Sequence, residues 1–138
     1  MKELNDQEIP SIERLKLVVQ RLRDPKTGCP WDIKQTFETI APYTIEEAYE
    51  VADAIEQKDK SALKDELGDL LLQVIYHTQM AAENRDFTFE EVTDGVSQKM
   101  IRRHPHVFGT TNTQSTDQQK NSWEDQKEKE RKEKGMAQ

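Results

Sequence analysis

Between Glu46 and Asp69 this 138-residue chain carries nine acidic residues and three basic ones, nearly the whole of its net charge of −7. In the stretch IEEAYEVADAI, 100° per residue puts Glu46, Glu47, Glu50 and Asp53 on one helix face, opposite Ile45, Ala48, Tyr49, Ala52 and Ile55. Alone, that is an amphipathic helix with a solvated acidic side. The next segment changes the reading. In ELGDLLLQVIYHTQM, Leu67, Leu70, Leu71, Leu72, Val74, Ile75 and Tyr76 cover most of the circumference, while Glu66 and Asp69, three residues apart, project from one side. A carboxylate on such a largely buried helix costs several kcal/mol unless something positive meets it.

Lysines could supply the charge, but these segments offer only Lys58, Lys60 and Lys64, all near the turn between them. A metal ion fits better. A short connection makes the two helices antiparallel neighbours, so that Glu47-x-x-Glu50 faces Glu66-x-x-Asp69 across one groove. Four carboxylates without nitrogen or sulfur make a hard-oxygen site suited to Mg²⁺, with Mn²⁺ as substitute, rather than Zn²⁺. A di-iron bundle would want Glu-x-x-His, and no histidine stands three residues after any of these acids. His77, two turns beyond Asp69, reads as a hydrogen-bonded interhelical residue. Mg²⁺ held by few protein ligands shares its shell with waters and phosphates. The cations a polyphosphate would need stand at Lys99, Arg102 and Arg103, one face of a helix end. The same three charges also suit the negative end of a helix dipole, and at this level both readings stand.

The elements that must position these residues read as helices throughout. Ile12, Leu15, Val18, Val19 and Leu22 follow a 3.6-residue period, which predicts a helix from Ser11 that ends before Asp24-Pro25. The loop DPKTGCPWD follows, and Asp32 with Gln35 is expected to cap a short helix that stops near Ala41, ahead of Pro42. Thr44 with Glu47 predicts a new start and a helix over 45–57; Thr88 with Glu91 predicts another over 89–103, stopped by His104-Pro105. Between them a helix capped by Asp59 or Ser61 runs to about Asn84. No segment alternates with period two, so the fold class is all-α, a helical bundle.

Of 28 Leu, Ile, Val and Phe residues, 26 fall within 11–108. This places one helical domain at 11–108, after a flexible N-terminus (1–10) and before a polar, highly charged tail (109–138). The tail has six basic and six acidic residues and reads either as a solvated helix anchored by Trp123 or as disordered chain. So small a core leaves apolar surface for a second copy to cover, so at least a dimer is expected. A sequence pI of about 5.0 argues against nucleic acid as partner. The absence of any long apolar run or signal-like N-terminus argues against a membrane, and with a single cysteine points to the cytoplasm.

EEAYE from Glu46 to Glu50 followed by ELGD from Glu66 to Asp69 resembles the E-E-x-x-E…E-x-x-D signature of MazG-type nucleoside triphosphate pyrophosphohydrolases. The stretches GCPWDIKQTFETIAPYTIEEAYE and KMIRRHPHVFG are similar to the bacterial form of that family, and the likeness spans about Ile12 to Trp123. The resemblance implies an all-α, Mg²⁺-dependent, dimeric enzyme that hydrolyses (deoxy)nucleoside triphosphates to the monophosphate and pyrophosphate, in nucleotide-pool housekeeping. It implies Glu47, Glu50, Glu66 and Asp69 as metal ligands, with Glu46 beside Glu47 as the carboxylate that positions or deprotonates water. Lys99, Arg102 and Arg103 would contact the nucleotide, and Trp123 would cover its base. The best-known bacterial members of that family carry two such domains in tandem, often unequal, and this sequence has one. Two alternatives are a bundle kept as a dimerisation or regulatory module without turnover, and a related all-α pyrophosphohydrolase for another nucleotide, such as phosphoribosyl-ATP. The intact ligand set argues against the first and RRHPHVF against the second.

Overall fold

The computed structural model describes residues 4–109 and 116–136, with the side chains of the last helix described over 123–135. Among the described residues there are seven helices and no strand: α1 (Ser11–Leu22), α2 (Pro30–Ile33), α3 (Phe37–Glu56), α4 (Lys60–Glu83), α5 (Phe89–Arg103), α6 (Pro105–Phe108) and α7 (Thr116–Met136). The all-α expectation is met. The chain divides into two compact units, Met1–Phe89 and Glu90–Gln138. Residues 1–3 of the N-terminal stretch and 110–115 and 137–138 of the tail lie outside the described residues.

The first unit is built on an antiparallel α3–α4 hairpin against which α1 packs through α4. Val19 of α1, Ile40 of α3 and Ile75, Tyr76 and Met80 of α4 form the buried core, flanked by Ile12, Leu15, Phe37, Leu72 and Phe89. The hairpin turn needs three residues. Lys58 takes a left-handed conformation at φ 57°, and Asp59 N–H bonds Ala54 C=O while Lys58 N–H bonds Ile55 C=O. This closes the end of α3 without the glycine usual there. Asp59 then caps α4 through the Ala62 N–H. Arg85 ends α4 in the same way, at φ 62°.

The expected break before Pro42 does not occur. α3 is one helix from Phe37, capped not by Asp32 or Thr44 but by Thr36, whose side chain accepts from Thr39 N–H while Thr39 Oγ1 accepts from Thr36 N–H. Proline at the sixth helical residue removes one N–H and crowds the Glu38 carbonyl, a local cost. Burial of Ile40 and attachment of Thr44 to α4 hold the helix across it. Asp32 instead sits in α2, where its carboxylate accepts the Tyr76 hydroxyl at 2.9 Å. The loop between α1 and α2 closes at Gly28: a Cβ there would lie 2.3 Å from the Leu22 carbonyl oxygen.

The apolar face of α3 also departs from expectation. Its inward line is Ile40, Thr44, Glu47, Val51 and Ala54, whereas Ile45, Tyr49 and Ile55 stay 58–72% exposed within the single chain. On α4, Leu67, Leu71 and Val74 are likewise exposed, so the helix is less enclosed than its sequence suggests.

In the second unit α5 ends at Arg103 before His104-Pro105, as expected, and α6 follows. The tail forms a helix, α7, and Trp123 packs edge-on to His104 with ring centroids 4.9 Å apart.

Candidate functional site

α3 and α4 bring three carboxylates together. One oxygen each from Glu47, Glu66 and Asp69 lies within 4.8 Å of the others, and all three side chains are half-buried. Glu47 reaches the groove because it shares the inward line of α3; Glu66 and Asp69 do so by their i, i+3 spacing on α4. Glu47 Oε2 is buried with no hydrogen-bond partner. Among the described residues no lysine or arginine pairs with the cluster. Burial raises the pKa of Glu47 above the ordinary carboxylate value, and the charges of Asp69 and Glu66 push it further. Glu66 is raised as well, first by burial, with the charges of Asp69 and Glu50 adding to it and the neighbouring Glu47 carboxyl opposing.

Oxygen-only donors, mutual repulsion and an orphaned buried oxygen fit a hard divalent cation, which would supply the missing charge and the missing partner. Glu50 and Glu46 stand outside this trio. Both are exposed on α3, and both raise the cluster's pKa values by their charge, Glu50 through Glu66 and Glu46 through Glu47.

One turn away the α3–α4 interface continues as neutral polar contacts. Thr44 Oγ1 lies 3.0 Å from Gln73 Oε1, to which it donates, and 2.9 Å from His77 Nε2. Since the hydroxyl proton goes to Gln73, the His77 ring donates from Nε2. Burial lowers the His77 pKa, which favours the neutral ring, and Phe37 stacks on it at 5.9 Å. His77 is thus an interhelical hydrogen-bonding residue, as read from sequence, joining α4 to Thr44 of α3.

A second positioning network had no signal in the sequence. Arg23, just after α1, holds the Glu83 carboxylate with Nε at 2.9 Å and a terminal nitrogen at 2.8 Å, and its other terminal nitrogen donates to the Asp32 and Gln35 carbonyls. Tyr76 completes it through Asp32, and burial pushes its hydroxyl up to about 12, so it remains a donor. These residues lie 9 to 60 positions apart, beyond any local motif.

In the second unit, Arg102 and Arg103 do not simply face the end of their helix. Both grip Glu130 of α7: Arg102 Nε donates to Oε1 at 2.8 Å and Arg103 Nε to Oε2 at 3.1 Å, each with a second bond from a terminal nitrogen. Arg103 holds the Glu130 pKa below the ordinary value, with Arg102 adding to the effect against burial. Lys99 lines the same cavity of about 660 Å³. Trp123 is half-buried, with the Arg103 guanidinium 5.3 Å and the Lys127 ammonium 5.7 Å from its ring centroid. Glu130 is the residue the sequence reading missed; its place in a charge-alternating run gave no sign that it takes both arginines.

A family model described as the MazG nucleotide pyrophosphohydrolase domain matches residues 35–108. The chain is 50% identical over 125 residues to a nucleoside triphosphate pyrophosphohydrolase of Escherichia coli (strain K12), covering 91% of this chain and 48% of that protein. It is 48% identical over 119 residues to the nucleoside triphosphate pyrophosphohydrolase/pyrophosphatase MazG of Thermotoga maritima, covering 86% of this chain and 45% of that one. The chain therefore spans about half the length of these curated relatives. Among solved structures, a mazG-related protein from Thermotoga maritima superposes with a TM-score of 0.69 at 28% identity, over 84% of this chain and 98% of that one. With three of its signature carboxylates gathered on paired helices and its sequence matched over most of its length, the chain belongs to the MazG nucleotide pyrophosphohydrolase domain family.

Proposed function

We propose that this chain hydrolyses (deoxy)nucleoside triphosphates to the monophosphate and pyrophosphate, with Mg²⁺ as cofactor and Mn²⁺ as substitute. The observation that carries the reading is the convergence of Glu47, Glu66 and Asp69 around a buried oxygen with no partner. These three, with Glu50 one turn along α3, would hold the metal. When bound, a divalent cation at such a site polarises phosphoryl oxygens and lowers the pKa of a water. Glu46, exposed beside Glu47, orients the attacking water and accepts its proton. Lys99, Arg102 and Arg103 take the phosphate charge, Arg through planar two-point bonds and Lys as a point charge. Trp123 offers its ring to the base.

Attack at the α-phosphorus leaves pyrophosphate. Hydrolysis in ¹⁸O water with Mg²⁺ is therefore expected to label the monophosphate and leave pyrophosphate unlabelled. Orthophosphate and a nucleoside diphosphate as first products would mean attack at the γ-phosphorus and overturn the reading.

The working form in this proposal is at least a homodimer. Ile45, Tyr49, Ile55, Leu67 and Leu71, all 41–72% exposed, form apolar surface on α3 and α4 that one copy leaves open. Light scattering at micromolar concentration is expected to give twice the chain mass or more, and Tyr49→Glu to reduce it; a monomer with full activity would refute this. Among the described residues no helix is long and apolar enough to cross a membrane. Partners other than the nucleotide, nucleic acid included, are not part of the proposal, and its compartment is the cytoplasm, where nucleotide pools lie.

A further inference from the structure

The cavity lined by α5 and α7 holds more positive charge than it balances. Lys99, Arg102, Arg103, Lys127, Arg131 and Lys134 line it, against Glu130 and Glu133. Lys127 is also paired with Glu124 at 4.0 Å, so three positive charges remain uncompensated, close to the charge of an ionised triphosphate. Glu130 stands where the densest part of that charge lies. Its side chain is only 13% exposed, and its two oxygens take one guanidinium each, every guanidinium donating two N–H groups. Two guanidiniums presented together in this way also suit a phosphate group, whose oxygens accept the same paired donors. The two arginines differ in freedom. Arg103 is 12% exposed, whereas Arg102 is 50% exposed and can turn to an anion in the cavity without leaving its helix.

We infer that Glu130 is a built-in competitor of polyphosphate: it holds Arg102 and Arg103 in the absence of ligand and gives up Arg102 when a phosphate chain enters. The inference rests on the phosphate-binding reading of Lys99, Arg102 and Arg103 proposed above. Binding then exchanges one charged hydrogen-bonded pair for another, so the carboxylate weakens affinity while keeping the guanidiniums arranged for the ligand. Glu130 touches no reacting atom and acts through Arg102, as a positioning residue.

The test uses inorganic tripolyphosphate, which carries the phosphate chain without the base, and isothermal titration calorimetry on the whole chain. Glu130→Gln is expected to bind about tenfold more tightly than the wild type, the scale of one charge-assisted hydrogen bond regained. Glu133→Gln makes the same change of cavity charge without freeing Arg102 and is expected to gain no more than about threefold. In an Arg102→Ala background the Glu130→Gln gain is expected to shrink to the Glu133→Gln level. Glu130→Asp keeps the charge but is one methylene too short to hold both arginines, and it too is expected to tighten binding. Circular dichroism of each variant reports whether α7 persists. Equal gains for Glu130→Gln and Glu133→Gln would overturn the inference. So would weaker or unchanged binding in both Glu130 variants, or no tripolyphosphate binding by any of them. Nucleotide turnover is read separately: a chain that shows these binding differences but releases no pyrophosphate would refute the hydrolase reading and leave the role of Glu130 standing.

Discussion

The acidic cluster of the first unit and the basic cluster of the second solve the problem of concentrated charge in opposite ways. Glu47, Glu66 and Asp69 are held together without a counter-charge, and the chain tolerates raised carboxyl pKa values and an orphaned oxygen. Arg102 and Arg103 are paired internally through Glu130, whose pKa is lowered accordingly. An unpaired cluster is strained until a ligand arrives; a paired one is comfortable and must be opened. The first arrangement suits a resident cation held for many turnovers, and the second suits an anion that binds and leaves each time.

The largest effect should come from removing a ligand from the strained cluster. Glu47→Gln or Asp69→Asn is expected to lower the rate by orders of magnitude, and excess EDTA to abolish it in the wild type. The same variants should be as stable as the metal-free wild type or more so, because each removes like-charge repulsion. Turnover unaffected by EDTA, or variants that unfold at a lower temperature than the metal-free wild type, would break the contrast.

A smaller effect is expected from the paired cluster. Arg102→Ala should raise KM for the triphosphate about ten- to hundredfold, the loss of one charged hydrogen bond to substrate, with kcat reduced as well if the guanidinium meets charge on the departing pyrophosphate. Normal kinetics with a slightly lower melting temperature would assign the arginines to helix-end stabilisation instead.

The smallest effect is a difference of sign in the pH dependence of stability without metal. Glu47 and Glu66 have folded pKa values above the ordinary glutamate value, so the folded chain binds protons more tightly there than the unfolded chain. Their contribution to stability therefore rises as pH falls from neutral toward that value. Glu130 has a folded pKa below the ordinary glutamate value, so its contribution is present above the unfolded value and is lost as pH falls through the folded one. Denaturant midpoints across the acid range should show the rise flattened in Glu47→Gln and the loss flattened in Glu130→Gln. The same sign in both variants would mean that the two clusters are not distinct in the way described.

Much of this was written locally in the chain. The all-α class follows from 3.6-residue periodicity, and α1, α4 and α5 keep the bounds that their caps, prolines and apolar spacing imply. The two acidic pairs were visible because i, i+3 spacing is enough to put two carboxylates on one side of a helix. Other features depend on groups far apart in sequence. Pro42 argued for a break, and the break is absent because Ile40 and Thr44 find partners on α4, a gain no local rule contains. The rotation of α3 was equally hidden. Its apolar stripe reads as a core face, yet the inward line carries Glu47, because α4 presents Gln73, His77, Glu66 and Asp69 to it. Glu130 shows the limit most plainly. Periodicity reports which residues share a helix face; which carboxylate of an alternating run meets two arginines 27 and 28 residues earlier is decided only when the helices pack.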